Sequence, residues 1–200
     1  MAHKAEENWE ELYRGEPVEH LPWYYHQLDP DVKQALDHLD MRVGRVLDLG
    51  AGPGTQAVAL AEQGFFVTAT DVAAAAVDAI RTRARMRNTA VDARQDDILH
   101  TRLSGAFEVI LDRGCFHTLA PGHRHVYAAA VYSLLAPDGV LLLKCFSYKQ
   151  PGDQGPYRLR PSDINRTFGA LFSLESISAT IFHGTIIPPP KALFCILRKV

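Results

Sequence analysis

Apolar runs of strand length alternate along most of the chain with longer stretches that carry helical signals. Five such runs predict buried strands, at residues 45–49, 65–70, 90–94, 107–111 and 139–146. Five helices are predicted, at residues 28–40, 54–63, 72–87, 123–135 and 161–168. Because strands that alternate with helices form parallel sheets with right-handed crossovers, the pattern predicts an α/β fold with helices on both faces of a doubly wound sheet.

The end of the chain departs from this alternation. Residues 172–182 and 192–199 are both strand-like, and the segment between them is too short for a helix. Two strands joined in this way form a hairpin, so the last strand is expected to be antiparallel. The prediction is therefore a Rossmann-like sheet of seven strands, mostly parallel, with an antiparallel C-terminal strand.

Composition and charge limit which partners the chain is expected to bind. The 200 residues, 47% hydrophobic and 22% charged, predict one globular domain over residues 1–200, and a monomer on size alone. A net charge of −2 offers no basic field for nucleic acid, and no apolar run approaches the roughly 20 residues that span a bilayer, so neither partner is expected. Three scattered cysteines predict reduced thiols and a cytoplasmic location, and no His or Cys spacing predicts a metal site.

A glycine-rich turn follows the first predicted strand. The turn and its flanks consist of Asp48, Gly50, Ala51, Gly52, Gly54 and Thr55. Ligands of such sheets bind at the carboxyl ends of the strands, and glycines there permit positive φ and close backbone approach. The next helix adds free N–H groups, and the Asp48 carboxylate can accept hydrogen bonds from a ligand amino group or orient the loop. The turn therefore predicts a cofactor-binding site.

Two adenosine-containing cofactors could bind at such a turn. The nicotinamide pattern G-x-G-x-x-G, started at Gly50, requires glycine where Thr55 stands, and from Gly52 it is met only if Ala57 is allowed last. The observed D-x-G-x-G-x-G is similar to the first motif of class I methyltransferases, which bind S-adenosylmethionine. Asp71, followed by Val72, ends the second strand and can bind the ribose of either cofactor, or cap the next helix.

A pair of acidic residues follows the third predicted strand. By position in a methyltransferase fold, Asp97 would bind the adenine amino group and Ile98 would cover the ring, with Asp96 as the alternative to Asp97. Taken alone, the pair could be an ordinary strand end.

Several separated motifs keep their order and spacing over nearly the whole chain. They are WEELY at 9–13, LDRGCFH at 111–117, PGHR at 121–124 with Tyr127, YSLL at 132–135, FSY at 146–148 and GPY at 155–157. Together they resemble the thiopurine methyltransferase-like group, to which bacterial thiol and tellurite methyltransferases are similar. The chain departs from the group after DRG, where Cys115, Phe116 and His117 replace the usual aliphatic pair.

The resemblance implies a class I S-adenosylmethionine-dependent methyltransferase. Residues 1–27 would form an N-terminal lid, with Trp9, Tyr13 and Trp23 over the cofactor, and residues 28–200 the catalytic core. It also implies that Arg113 lies by the methionine end of the cofactor or by the substrate. Asp112 and Arg113 are predicted both as catalytic and as cofactor-binding residues.

Methyl transfer is an in-line displacement that depends mainly on alignment and exclusion of water. A thiolate needs no base, whereas a hydroxyl or amine does, and His117 is then the best candidate. The expected substrate contacts are Trp23, Tyr24, His117, Phe146, Tyr157 and Arg158. The prediction is methyl transfer to a small molecule, a thiol or other chalcogen. The alternatives are O- or N-methylation of a small aromatic metabolite with His117 as base, and a cofactor-binding protein without activity.

Overall fold

Strands and helices alternate through most of the computed structural model, which describes residues 8–200. The strands are β1 (Arg45–Leu49), β2 (Phe66–Asp71), β3 (Val91–Gln95), β4 (Phe107–Arg113), β5 (Leu135–Phe146), β6 (Phe172–Ile181) and β7 (Lys191–Lys199). The helices are α1 (Trp9–Gly15), α2 (Pro30–His38), α3 (Thr55–Glu62), α4 (Ala74–Met86), α5 (Arg124–Leu134) and α6 (Pro161–Phe168). Within residues 8–200, no helix combines the length and apolar character that a membrane span requires.

The seven strands form one sheet in the order β3-β2-β1-β4-β5-β7-β6. Strands β1 to β5 pair in parallel, and β7 runs antiparallel to both β5 and β6. The predicted doubly wound α/β sheet and its antiparallel last strand are confirmed. Because chain order reverses between β1 and β4, the carboxyl ends of these two strands frame the crevice where ligands of such sheets bind.

Helix bounds agree with the predictions to within a few residues, and their caps explain the differences. Asp29 caps α2 by accepting the backbone N–H of Asp31 at 3.1 Å, with Pro30 in the first turn. Helix α4 starts at Ala74 rather than residue 72, because Asp71 still holds the backbone N–H of Ala73. The short helix α1 was not predicted, since seven residues carry too little periodicity.

Apolar layers cover both faces of the sheet. Central strands supply both layers in turn, because successive side chains of a strand point to opposite faces. Ile110 packs towards α5 and α6, where it joins Phe116 and Phe168, whereas Leu111 packs towards α2, α3 and α4. The two layers hold the strand ends of the sheet in place.

A largely buried ion network interrupts the apolar core near the carboxyl ends of β4 and β5. Lys144 has no exposed side-chain surface, and its Nζ lies 2.8 Å from both oxygens of Asp29 and 2.7 Å from Oδ2 of Asp31. Arg113 adds a bond from Nε to Asp29 at 2.7 Å, and Thr180 donates its hydroxyl to Asp31 at 2.7 Å. The positive charges of Lys144 and Arg113 therefore balance the negative charges of Asp29 and Asp31. We call these four charged residues the Asp29 network.

The charges of this network decide the ionisation of its central carboxylate. Burial alone would raise the pKa of Asp29, but the cationic groups of Lys144 and Arg113 together hold it below its usual value. Asp29 therefore stays ionised at neutral pH. Each charge of the pair needs its partner, because an unpaired buried charge is strongly unfavourable.

We predict that Lys144→Met lowers the free energy of unfolding by about 3–5 kcal/mol, because it leaves buried carboxylates with too few cations. Urea unfolding measures the change. The matched control is Lys33→Met, which removes an exposed lysine paired with Asp37 at 3.0 Å on α2, and little or no change is expected there. Equal unfolding midpoints for the two variants would contradict a stabilising role for the network.

Candidate active site

The glycine turn after β1 adopts the left-handed backbone that its sequence predicts. Gly50, Gly52 and Gly54 have φ of 63°, 52° and 74°. Asp71 stabilises the turn by accepting the backbone N–H of Gly52 at 2.9 Å with one oxygen, while its other oxygen accepts that of Ala73 at 3.0 Å. In this structure Asp71 therefore joins the turn to the start of α4, and its contact with a ribose stays a prediction.

Asp48 lies under the glycine turn at the end of β1 and is 2% exposed. Its Oδ2 atom is buried and has no hydrogen-bond partner among the described residues. Burial raises the pKa of Asp48 to about 7, against the opposing effect of the backbone N–H of Ala57. A buried carboxylate oxygen without a donor is costly on its own, and a cationic group beside it would satisfy it.

Three aromatic residues of the N-terminal segment cluster over the turn. The ring centroids of Trp9, Tyr13 and Trp23 lie 5.9 to 6.4 Å from one another. A Cβ placed on Gly52 would approach Tyr13 Oη to 2.7 Å and Trp23 Nε1 to 3.6 Å. The predicted lid residues are thus brought together at the turn, where only a glycine leaves room for them.

Helix α4 binds the N-terminal segment and the glycine turn. The backbone N–H of Ala75 donates to Glu10 of α1 at 3.2 Å. Arg83 donates from Nε to the carbonyl of Pro53 at 3.0 Å and from Nη2 to Tyr24 Oη at 3.4 Å. The hydroxyl and the ring of Tyr24 both contact Arg83. The predicted contact of Tyr24 with the substrate stays a prediction.

The residues predicted to hold adenine lie after β3 and have local partners. Asp96 accepts the backbone N–H of Arg102 at 2.9 Å, and Asp97 accepts that of Leu99 at 3.0 Å. Ile98 is buried within the apolar layer that also contains Leu49. The backbone N–H of Asp96 donates to the carbonyl of Asp71 at 3.0 Å, so these strand ends meet at one edge. Val72 is half exposed at this edge, and the adenine contacts stay predictions.

Asp112 organises the turn that follows β4. It is fully buried and accepts the backbone N–H groups of Gly114, Cys115 and Phe116 at 2.8 to 2.9 Å, and the Tyr127 hydroxyl at 2.6 Å. Burial raises its pKa to about 6, although these hydrogen bonds oppose the shift. Because four donors engage its two oxygens, Asp112 shapes the turn, and the roles predicted for it in catalysis and cofactor binding stay predictions.

Arg113 was predicted to lie by the methionine end of the cofactor or by the substrate. In this structure its side chain links three segments. Besides its bond to Asp29, it donates from Nη1 to the carbonyl of Trp23 at 3.1 Å and from Nη2 to the carbonyl of His183. These bonds connect the end of β4 with the N-terminal segment and the β6–β7 loop. Three of its five N–H donors have protein partners, and its predicted place by the methionine end of the cofactor or by the substrate stays a prediction.

A buried aromatic wall stands beside the DRG turn. The ring of His117, 5% exposed, lies 4.9 Å from Phe146 and 5.4 Å from Phe182. Phe182 also lies 5.3 Å from Phe146, and the cationic groups of Arg113 and Lys144 approach its ring to 5.5 and 5.6 Å. Sequence reasoning did not select Phe182, because an aromatic residue at the end of a predicted strand carries no sign of its tertiary neighbours.

His117 accepts the backbone N–H of Phe146 at its Nδ1 atom, at 2.9 Å. Its carbonyl accepts the backbone N–H of Tyr157 at 2.8 Å. This arrangement argues against the general-base role that sequence analysis considered for His117, because the ring nitrogen that carries the lone pair is already engaged by a backbone donor.

The loop after β5 contains two of the predicted substrate contacts. Arg158 donates to the carbonyls of Gln150, Pro151, Gln154 and Pro156, all within its own loop. It therefore closes that loop, and its predicted contact with the substrate stays a prediction. The sequence analysis quoted Arg124 only as part of the PGHR motif. Its guanidinium lies 5.3 Å from the centroid of the Tyr157 ring. Its Nε is buried without a hydrogen-bond partner among residues 8–200.

Residues 4–183 match the thiopurine S-methyltransferase family. The chain belongs to this family. Membership confirms the predicted class, an S-adenosylmethionine-dependent methyltransferase, and its cofactor.

Individual relatives are more distant. Thiocyanate methyltransferase 1 of Brassica oleracea is 27% identical over 146 residues, which is 70% of this chain and 63% of the plant protein. The chain thus spans less than two thirds of that relative's length.

Solved structures share the fold. A protein solved in work on the conversion of a disulfide bond into a thioacetal group in echinomycin biosynthesis has a TM-score of 0.83 and 23% identity, over 96% of this chain and 90% of its own. The Burkholderia thailandensis 1,6-didemethyltoxoflavin-N1-methyltransferase, solved with S-adenosylhomocysteine, has a TM-score of 0.70 and 23% identity, over 94% and 81%.

The donor set at the glycine turn fits S-adenosylmethionine. Its methionine part carries a cationic amino group, and the buried Oδ2 of Asp48 is a carboxylate oxygen that lacks a donor. The left-handed glycines allow the backbone close approach to a bulky ligand. No group of three or more potential metal ligands occurs among the described residues.

We predict that S-adenosylhomocysteine binds about five- to tenfold more tightly at pH 7.5 than at pH 6. Asp48, with a pKa of about 7, must lose its proton to pair with the ligand's amino group, so only the deprotonated fraction binds well. Calorimetry in two buffers of different ionisation enthalpy measures both the affinity and the proton released. In Asp48→Asn the pH dependence should vanish, and a dependence that survives the substitution would assign it to another group.

Proposed function

We propose that this chain transfers the methyl group of S-adenosylmethionine to a small-molecule nucleophile, a thiol or another chalcogen. The observation that carries the proposal is the buried wall of His117, Phe146 and Phe182 beside the DRG turn. Polarizable sulfur packs well against aromatic rings, whereas a strongly hydrated oxygen or amine nucleophile loses more on entering such surroundings.

Different elements of the fold would bind the cofactor and the acceptor. Bound S-adenosylmethionine supplies an electrophilic methyl on a sulfonium. The glycine turn and Asp48 would hold the methionine part, and the lid residues over Gly52 would exclude water. The aromatic wall would orient the acceptor on the other side of the transferred carbon. The new carbon–sulfur bond forms as the bond to the cofactor sulfur breaks, and the electron pair of that bond leaves with the cofactor sulfur.

The family and one relative support sulfur as the acceptor atom. The matching family is named for thiopurine S-methylation, and the Brassica relative is named for thiocyanate. We further propose that the protein acts as a cytoplasmic monomer, on a small molecule and without a nucleic-acid or membrane partner. O- or N-methylation of a small aromatic metabolite is the alternative that acceptor assays distinguish.

Matched acceptors test the proposal directly. With methyl-labelled S-adenosylmethionine, benzenethiol should be methylated with a higher kcat/KM than phenol and aniline, which share its ring. Thiocyanate, selenite and tellurite extend the series to other chalcogen acceptors. Preferred methylation of phenol or aniline would contradict the proposal in favour of the O- or N-methylation alternative.

We predict that Phe182→Leu raises KM for a thiol acceptor by about two- to tenfold, because it removes a sulfur–aromatic contact worth roughly 0.3–1.5 kcal/mol. The affinity for S-adenosylhomocysteine should stay unchanged, since the cofactor contacts lie at the glycine turn. The control is Phe66→Leu, which alters a ring that is 70% exposed at the start of β2, far from this edge. An unchanged KM in Phe182→Leu would remove this ring from the acceptor site.

A further inference from the structure

The loop between β6 and β7 packs against the backbone that carries Trp23. Three consecutive carbonyls of that backbone accept hydrogen bonds from other segments. Thr185 of the loop donates its hydroxyl to the carbonyl of Leu21 at 3.2 Å and its backbone N–H to that of Pro22 at 3.1 Å. Arg113 donates from Nη1 to the carbonyl of Trp23 at 3.1 Å. The main chain before and at Trp23 is therefore fixed to the loop and to the end of β4.

Gly184 brings the loop and this segment into direct contact. A Cβ placed on Gly184 would lie 2.2 Å from the carbonyl oxygen of Pro22 and 3.4 Å from the Cα of Trp23. The φ of Gly184 lies outside the left-handed region, so glycine is needed here for space rather than for conformation. Both neighbouring atoms belong to the main chain and cannot rotate away. A larger residue must therefore push the two backbones apart by about 1 Å.

The ring of Trp23 extends this contact to the glycine turn. Its Nε1 lies 3.6 Å from the position of a Cβ placed on Gly52. Its ring centroid lies 5.9 Å from that of Trp9 and 6.3 Å from that of Tyr13. Trp23 is thus packed between two glycines, with its backbone on Gly184 and its ring on Gly52. A displacement of the loop would move this ring relative to the turn.

The outer part of the loop is exposed, although its base is anchored. Ile186 and Ile187 are 42% and 92% exposed. Phe182, at the base, is buried and donates its backbone N–H to the carbonyl of Pro190 at 2.8 Å. Regions with few buried contacts open at a lower free energy than the core does. The loop is therefore suited to leave the N-terminal segment while the sheet stays folded.

We propose that Gly184 and Thr185 are positioning residues for Trp23, and that S-adenosylhomocysteine leaves when their loop separates from residues 21–23. This inference rests on the proposed function, through the placement of the cofactor at the glycine turn, and does not depend on the acceptor. While the contact holds, Trp23 stays over the turn and retains the bound cofactor. When the contact opens, Trp23 is released and the cofactor product dissociates.

Gly184→Ala tests the close contact between the two backbones. The added methyl group should raise the dissociation rate constant of S-adenosylhomocysteine about five- to twentyfold and change the association rate constant by less than about threefold. Stopped-flow tryptophan fluorescence measures both, because the two tryptophans of the chain, Trp9 and Trp23, lie in this contact. The matched control is Gly122→Ala, since a Cβ on Gly122 meets no atom within 4 Å, and its rate constants should equal those of the wild type.

Thr185→Val and Thr185→Ser separate positioning from folding. Valine keeps the shape and the backbone N–H but lacks the hydroxyl that donates to Leu21, whereas serine keeps that hydroxyl. Dissociation should be about two- to tenfold faster in Thr185→Val and close to the wild-type rate in Thr185→Ser. Acrylamide quenching of the tryptophans in the ligand-bound protein should increase in Thr185→Val and in Gly184→Ala, but not in Thr185→Ser. A loss of global stability alone would not change this quenching.

The outcomes separate this inference from the proposed function. Wild-type dissociation rates in both Gly184→Ala and Thr185→Val would overturn the inference and leave methyl transfer standing. If Gly184→Ala does not fold, equal dissociation rates in Thr185→Val and Thr185→Ser would overturn it. Failure of the wild-type protein to bind S-adenosylhomocysteine would overturn the proposed function as well.

Discussion

The ammonium group of Lys144 and the carboxylate of Asp29 meet with no exposure to water, and the arrangement of the active edge depends on that pair. Lys144 comes from β5 and Asp29 from the cap of α2, so their bond connects the sheet to the end of the N-terminal segment. Arg113 extends the connection to the carbonyls of Trp23 and His183. Because buried charges are stable only with their partners in place, the network favours one arrangement of lid, strand end and loop over all others.

Two carboxylates at this edge hold the backbone of the turns. Asp71 holds the glycine turn, and Asp112 holds the turn after β4, each by accepting backbone N–H groups. Such bonds keep the irregular backbone between strand and helix in one conformation. Asp48 differs from them, because one of its buried oxygens lacks a donor among the described residues. Asp48 is therefore the acid that we propose for the cofactor's cation.

The proposed acceptor side has a different character. Its wall consists of aromatic rings, and the cations near Phe182 are neutralised by Asp29 and Asp31. Such a wall offers dispersion contacts and shape. The proposed reaction, methyl transfer to a polarizable sulfur, depends mainly on alignment and suits these surroundings.

Local pattern was enough to predict the α/β alternation, the antiparallel last strand and the glycine turn, because each depends on residues close together in sequence. The resemblance of the separated motifs likewise led to the family and its cofactor. The partners of long side chains were a different matter. Arg113 binds groups 84, 90 and 70 residues away, and Lys144 stands within an apolar strand whose neighbours the sequence does not state. A hydrophobic pattern specifies which face of an element is buried, but only the packed sheet decides which charges, rings and carbonyls meet there.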